Sequence, residues 1–120
     1  MTHEQLIAAC FQWHWNEFPD ERQMLFGVNN NVSAGLTKWN QIQEGNKNKA
    51  KGVVAGVFDF GYMLPGKFVW MDGKIGNDIL SKEQRDFKKK AEARGHDCIV
   101  FNSLEVFQEI IHTLQEAYYV

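Results

Sequence analysis

The stretch "GVFDFGYMLPGKFVWMDGK", residues 56–74, decides the fold of this chain. It contains two apolar segments, Val57–Leu64 and Phe68–Asp72, that flank the turn signal Pro65-Gly66-Lys67. Short apolar runs on either side of a Pro-Gly turn predict a β-hairpin. One aspartate, Asp59, lies on the first predicted strand, and Asp72 lies on the second. Since side chains alternate between the faces of a strand, the two carboxylates can lie side by side, depending on the register.

Helices and strands alternate around the hairpin. The apolar spacing predicts helices over residues 3–17, 81–94 and 103–118, and strands over residues 24–28 and 97–101. Residues 33–51 are polar and are predicted as a loop, with one short helix around Leu36–Gln43. The resulting order, αβββαβα, predicts an α/β fold with a small mixed sheet flanked by helices.

Length and composition predict one domain, residues 1–120, because a chain of 120 residues holds one core but not two. The hydrophobic content of 44% argues against a disordered chain. No apolar run approaches the roughly 18 residues of a membrane span. The N-terminus lacks the features of a signal peptide, so we expect no membrane association and a cytoplasmic location.

The net charge of −2 is unevenly distributed. Residues 1–30 have a net charge of −3, residues 31–94 of +5 and residues 95–120 of −4. A basic middle segment can attract a polyanion even when the total charge is negative. One basic run on a predicted helix either belongs to such a surface or only keeps a helix face solvated; it consists of Lys88, Lys89, Lys90 and Arg94.

The two cysteines, Cys10 and Cys98, form no C-x-x-C pair, so neither a disulfide framework nor a zinc knuckle is indicated. Cys10 and His14 are four residues apart on the first predicted helix. They would form either half of a metal site or a small buried thiol beside a hydrogen-bonded histidine.

The pattern around Asp72 favours metal-assisted phosphodiester hydrolysis. Asp72 and Lys74 are two residues apart, so their side chains project from the same side of a strand. Neighbouring carboxylates repel each other, and a divalent cation removes this repulsion. Oxygen ligands suit Mg²⁺ or Mn²⁺, which also accept phosphate oxygens. A lysine beside such a metal can orient water or stabilise negative charge in the transition state.

The order of an aspartate, a hairpin turn, Asp-x-Lys and a helix resembles the PD-(D/E)xK nucleases, with Phe58 in place of the proline. The chain is more closely similar to the VRR-NUC (virus-type replication-repair nuclease) family. The family blocks G-x-x-x-G-x-x-D, E-x-K and L-S-x-x-Q correspond to residues 52–59, 72–74 and 80–84. "MLFGVNNN" resembles the family's strand that ends at an asparagine, here Asn30. The resemblance covers nearly the whole chain and implies a minimal, restriction-endonuclease-like domain.

This resemblance implies four catalytic residues: Asp59, Asp72, Lys74 and Gln84. The two aspartates would bind Mg²⁺ or Mn²⁺, with the carbonyl group of Gly73 as a third ligand. Lys74 would orient water or stabilise charge, and Gln84 would position Lys74 or the water. Ser81-x-x-Gln84 is equally a helix-capping box, so both interpretations of Gln84 stay open.

Two positions depart from the family pattern. Asp72 stands where glutamate is usual, and its side chain is shorter by one methylene. When the first helix is aligned on Trp13, the family glutamate falls on His3 and its glutamine on Ile7. We assign Glu4 as the metal ligand from this helix, although a shift of one residue turns a helix by about 100°.

The resemblance also implies a homodimer, similar to phage or bacterial enzymes, that cuts branched DNA such as four-way (Holliday) junctions, because symmetric cuts need two sites related by a two-fold axis. The assigned DNA contacts are Asn30, Lys38, Lys47, Lys49 and Lys51. Trp13 and Trp70 are predicted core residues, and Trp39 is predicted to contact DNA or a second subunit. The alternatives are a DNA-binding module without catalysis, a nuclease for flap, nicked or single-stranded DNA, and a partner-binding protein with an accidental Asp-x-Lys.

Overall fold

A computed structural model describes residues 1–28, 43, 47, 51–52 and 54–119. The helices with defined bounds are α1 (His3–Glu17), α2 (Lys82–Ala93) and α3 (Leu104–Tyr118), and a 3₁₀ turn follows α1 at Pro19–Glu21. The strands are β1 (Leu25–Gly27), β2 (Phe60–Leu64), β3 (Lys67–Gly73) and β4 (Asp97–Phe101). The predicted order αβββαβα is confirmed, and the short helix predicted around Leu36–Gln43 lies, apart from Gln43, outside the described residues.

The strands form one mixed sheet in the order β1-β2-β3-β4. β2 pairs antiparallel with both β1 and β3, whereas β3 and β4 are parallel and are connected through α2. Leu64 pairs with Lys67, so the hairpin turn is Pro65-Gly66 alone and Lys67, predicted in the turn, is the first residue of β3. The φ of +69° at Gly66 explains why glycine follows proline there.

The prediction that Asp59 lies on a strand is wrong, because β2 begins one residue later, at Phe60. The strand starts late because β1 has only three residues and its last, Gly27, already pairs with Phe60. One further hydrogen bond, from the Val28 amide to the Asp59 carbonyl at 2.9 Å, ends the ladder. Asp59 therefore sits just before the strand, at the edge of the sheet.

Polar caps fix where each helix begins. The side chains of Thr2, Ser81 and Ser103 each accept a hydrogen bond from the backbone amide three residues later. For this reason the helices predicted from residues 81 and 103 begin one residue later. α2 ends before Gly95, whose φ of +86° is the left-handed conformation typical after a helix.

Hydrophobic clusters lie on both faces of the sheet. The larger cluster packs α1 and α3 against one face and includes Leu6, Phe60, Tyr62, Met71, Phe107 and Ile111. The smaller one lies under α2, where Phe58, Ala91 and Cys98 pack with Trp70, Leu80 and Phe87. Because Met71 and Trp70 point to opposite faces, Asp72 projects toward α2. None of the helices in the described part of the chain is long and apolar enough to cross a membrane.

The buried carboxylate of Glu21 is contacted by side chains from several helices and strands. Its Oε1 atom accepts hydrogen bonds from the Tyr62 hydroxyl at 2.7 Å and the Gln115 amide at 3.0 Å, and it lies 2.9 Å from His14 Nε2. Burial alone would raise the pKa of Glu21, but the hydrogen bonds outweigh it and lower the pKa. Of the two alternatives for Cys10 and His14, the structure therefore shows a buried thiol beside a hydrogen-bonded core histidine. Burial, with a smaller contribution from Glu105, raises the pKa of the Cys10 thiol to about 12.

Candidate active site

A cleft of about 810 Å³ opens at the edge of the sheet where β2 begins and β3 ends. Three segments meet there: the start of α1, the end of the hairpin and the start of α2. The lining residues are His3, Glu4, Ile7, Ala8, Phe11, Gly27, Val28, Asp59, Phe60, Asp72, Lys74, Asp78 and Gln84. The cleft therefore contains the four residues predicted to be catalytic, together with Glu4.

Asp59 and Asp72 lie side by side because Phe60 pairs with Met71, which places the two aspartates opposite each other. The Asp59 amide donates to Asp72 Oδ1 at 3.2 Å, and the Gly73 amide donates to Asp59 Oδ2 at 2.9 Å. Each carboxylate is thus held by the backbone next to the other. Backbone amides at the open end of the hairpin thus hold both carboxylates in place.

Asp72 is a buried acidic group with 1% of its surface exposed. Its pKa is raised to about 6: burial is the largest cause, the charge of Asp59 adds to it, and contact with Lys74 opposes it. Its Oδ2 atom has no aligned hydrogen bond from any described residue. The Lys74 ammonium nitrogen lies 3.0 Å from this oxygen, so the contact is an ion pair. Among the described residues, Lys74 is therefore the partner of this oxygen.

Gln84 joins Lys74 to Asp72. The lysine Nζ donates to Gln84 Oε1 at 2.9 Å, and Gln84 Nε2 donates to Asp72 Oδ1 at 3.2 Å. The same Oε1 accepts from the Ser81 amide at 3.1 Å, while the Gln84 amide donates to the Ser81 hydroxyl at 3.1 Å. Gln84 is therefore a capping residue and a neighbour of the site at once. The first turn of α2 fixes the position of the lysine.

The first helix contributes His3 and Glu4 to the cleft. His3 Nε2 lies 3.0 Å from Asp59 Oδ2, so His3 is the residue that reaches the carboxylate pair. Glu4 lines the cleft one position further along the helix. Within residues 1–28 and 54–119, no group of three or more His, Cys, Asp or Glu side chains is arranged to hold a metal ion.

Two glycines allow the close approaches that build the site. A Cβ atom on Gly73 would lie 2.9 Å from Ile7 Cδ1, so the end of β3 packs directly on α1. Gly56 has φ of +89°, and a Cβ there would lie 2.6 Å from the backbone carbonyl carbon of Glu83. The segment before Asp59 therefore lies against the first turn of α2. This contact explains the second glycine of the G-x-x-x-G-x-x-D block.

Asp78 lines the cleft but was not predicted from the sequence. Its amide donates to the Ile75 carbonyl at 3.0 Å, in the turn that connects β3 to α2. The available signal was its position only four residues after Lys74 in a polar turn.

Of the predicted DNA contacts, Lys47 and Lys51 are exposed, and Asn30, Lys38 and Lys49 lie outside the described residues, as does Trp39. Trp13 packs edge-on against Phe107, and Trp70 packs against Phe87, as expected of core residues.

A comparison with known proteins identifies which known fold this is. No family model matches the chain, and no curated protein matches it. A solved structure described as "VRR_NUC domain protein" superposes with a TM-score of 0.71 and 13% sequence identity, over 97% of this chain and 89% of that chain. This chain has the fold of a VRR-NUC domain. The VRR-NUC resemblance of the sequence motifs is thereby confirmed at the level of the fold, which extends over nearly the whole chain.

Proposed function

We propose that this protein is a VRR-NUC family nuclease with one domain, residues 1–120, that hydrolyses phosphodiester bonds in DNA with a divalent metal ion. One observation carries the proposal: two aspartates and a lysine meet in an open cleft, and a glutamine holds the lysine in place. A buried carboxylate with a raised pKa in a cleft, here Asp72, is typical of a functional site. The VRR-NUC fold supports the same interpretation.

The oxygen atoms of the site suit Mg²⁺ or Mn²⁺. Asp72 Oδ2 is buried and takes no aligned hydrogen bond from the described residues, and a second carboxylate lies beside it. Mg²⁺ is commonly held by one or two carboxylates and retains waters, so it needs no third acidic side chain. Asp59, Asp72 and the Gly73 carbonyl would hold the ion, with Glu4 as a further ligand. When bound, the ion supplies charge stabilisation to the phosphoryl group.

Lys74 is proposed to act on the charge that develops on the phosphate. Its Nζ lies between Asp72 and Gln84, at 3.0 Å and 2.9 Å from their oxygens. Because its Nζ already donates to Gln84 and is paired with the Asp72 carboxylate, this position favours an electrostatic role over that of a base. Gln84 acts on Lys74 by fixing where the ammonium group lies. The Gly73 amide donates to Asp59 and so holds the Asp59 carboxylate beside that of Asp72.

The substrate is proposed to be branched DNA, with four-way junctions cut by a homodimer in the cytoplasm. Two sites related by a two-fold axis match the symmetry of such a junction. Flexible lysines contact phosphates without reading sequence, which suits recognition of shape. The proposed contacts are Asn30, Lys38, Lys47, Lys49 and Lys51. The rival functions are a DNA-binding module without catalysis and a nuclease for flap, nicked or single-stranded DNA.

A cleavage assay tests the proposal. A labelled four-way junction and a linear duplex of the same sequence are incubated with the protein in Mg²⁺ or Mn²⁺. The variant Lys74→Ala is compared with Lys90→Ala, which removes an exposed lysine from α2. Symmetric nicking of the junction, lost in Lys74→Ala and retained in Lys90→Ala, supports a junction-specific nuclease. Equal cutting of both DNAs retains the nuclease but refutes junction specificity. Tight binding without cutting in either metal favours the binding module.

Metal binding has a readout that does not depend on activity. Mg²⁺ or Mn²⁺ is expected to raise the melting temperature of the unmodified protein, because an ion bound to the folded state alone stabilises it. Asp59→Asn and Asp72→Asn are expected to lose this increase. An equal increase in both variants would exclude the aspartates as ligands.

A further inference from the structure

The three helices distribute charge unequally between the two sides of the sheet. α1 and α3, which pack on one face, contain five Asp or Glu residues and no Lys or Arg. α2 lies over the other face and contains five Lys or Arg residues and three Asp or Glu residues. A polyanion is therefore repelled from the side of α1 and α3 and attracted to the side of α2.

The cations of α2 do not all lie on the same side of the helix. Lys82, Arg85 and Lys89 are spaced by three and four residues, so they follow one another along one line of the helix surface. All three are exposed. Asp86 lies between this line and Lys90, which is four residues further along the helix. The basic run of the sequence is thus divided, and one part of it continues a line of cations that begins at the start of α2.

Ion pairing and helix stability account for the other lysines of α2 but not for this line. Lys88 forms an ion pair with Glu92 at 2.8 Å. Lys90 lies in the last turn, where a positive charge stabilises a helix. Lys82 is instead the first residue of α2, where the helix dipole disfavours a positive charge. Among the residues that the structure describes, neither Lys82 nor Lys89 has an acidic partner within ion-pair distance. Local choices that oppose stability are typical of functional positions.

We propose that Lys82, Arg85 and Lys89, here called the basic stripe, bind the phosphate backbone of a duplex arm of the DNA that is cut. This inference rests on the proposed nuclease function and adds a contact surface outside the cleft. Arg85 is held in position, because its Nη1 donates to the Leu80 carbonyl at 2.8 Å. The stripe begins in the turn of α2 that also supplies Gln84 to the cleft. An arm bound there is therefore adjacent to the site of cleavage.

The length of the stripe sets the number of phosphates that it reaches. Lys82 and Lys89 are seven residues apart, which corresponds to about 10.5 Å along a helix. The phosphates of one strand advance about 3.4 Å per nucleotide along the duplex axis, so the stripe spans about three nucleotides. Contacts to phosphates alone carry no sequence information. The stripe is therefore expected to bind an arm of any sequence.

The dependence of DNA binding on salt tests the stripe. Fluorescence anisotropy in the Lys74→Ala background, which keeps the DNA intact, measures the affinity for a four-way junction and a linear duplex over a range of KCl concentrations. Each phosphate contact contributes about 0.9 to the slope of log affinity against log salt. Lys82→Gln combined with Lys89→Gln is therefore expected to reduce this slope by about 2, and the affinity in about 0.1 M KCl by about 10- to 60-fold. Lys90→Gln removes the same charge from the same helix and should leave the slope unchanged.

Several outcomes would overturn the stripe. An equal decrease of the slope in the double variant and in Lys90→Gln would mean that only the total charge matters. A change in sedimentation from dimer to monomer with an unchanged slope would make the stripe a contact between two copies of the chain. If the unmodified protein cuts DNA while the double variant keeps its slope, the stripe alone fails. If the unmodified protein neither binds nor cuts either DNA, the nuclease function fails with it.

Discussion

Replacing Asp72 by asparagine is expected to change how the stability of the fold depends on pH. Burial, then the charge of Asp59, raises the Asp72 pKa from its ordinary 3.8 to about 6 in the folded protein. The folded state therefore binds this proton more tightly than the unfolded state does. That preference stabilises the fold fully below pH 3.8 and is lost as the pH rises through 6. Asparagine does not titrate in this range, so the variant does not lose this stability as the pH rises.

The size of the effect follows from the two pKa values. Over the whole range, a pKa of about 6 in place of 3.8 corresponds to about 3 kcal/mol of stability. Between pH 5 and pH 8 the same linkage gives about 1.4 kcal/mol. The asparagine amide next to the Lys74 ammonium adds a contribution that does not vary with pH in this range. The informative quantity is therefore the difference in unfolding free energy between Asp72→Asn and the unmodified protein. What matters is how this difference changes with pH.

Urea unfolding followed by circular dichroism, in EDTA to remove divalent ions, measures this difference. From pH 5 to pH 8, Asp72→Asn is expected to gain about 1.4 kcal/mol relative to the unmodified protein. Asp78→Asn is the control, because Asp78 lines the same cleft but is exposed. A stability difference between Asp72→Asn and the unmodified protein that stays constant across this pH range would refute the reasoning. It would mean that the folded protein does not hold the Asp72 proton more tightly.

Three further predictions concern other contacts. Gln84→Ala and Ser81→Ala should each cost about 1 kcal/mol of stability by breaking the α2 cap, as measured by urea unfolding; only Gln84→Ala should also reduce DNA cleavage by tenfold or more, and an equal loss in both would make the glutamine a cap alone. Gly56→Ala should be less stable than Gly95→Ala by about 1–3 kcal/mol, because both glycines have positive φ but only the Cβ atom added at Gly56 would clash with backbone, that of Glu83. Equal melting temperatures of the two variants would contradict this. Tyr62→Phe should lower stability by about 1.5–3 kcal/mol, since its hydroxyl donates to a buried carboxylate; an unchanged urea midpoint would show that the hydrogen bond contributes nothing.

Local signals in the sequence were enough to place the helices and β4. Apolar spacing placed the three helices, and Ser81 and Gly95 marked the two ends of α2, so the helix bounds were predicted to within one residue. β4 lies at the predicted residues, 97–101, because a short apolar run bounded by polar residues leaves little choice. The start of β2 was missed because it depends on the length of β1, which is remote in sequence.

The part of the site whose residues are close together in the sequence was also predictable from local signals. Asp59, Asp72, Lys74 and Gln84 occur within 26 residues, so a hairpin and a helix cap bring them together. The contact of His3 with Asp59 joins residues 56 positions apart, and no local pattern reports it. The motif alignment placed the family's glutamate position on His3, but only the packing of α1 on Gly73 shows that the imidazole reaches the carboxylate.

The double engagement of Gln84 has a consequence for folding. The side-chain amide oxygen that closes the first turn of α2 also holds the Lys74 ammonium group, so the lysine is not held by Gln84 until the helix has docked on the sheet. A newly made chain with a formed hairpin but an undocked helix has both aspartates and no positioned lysine. In refolding, cleavage activity should therefore return with α2 docking and not with the hairpin. A chain that positions Lys74 only when α2 docks would carry no complete site before that step.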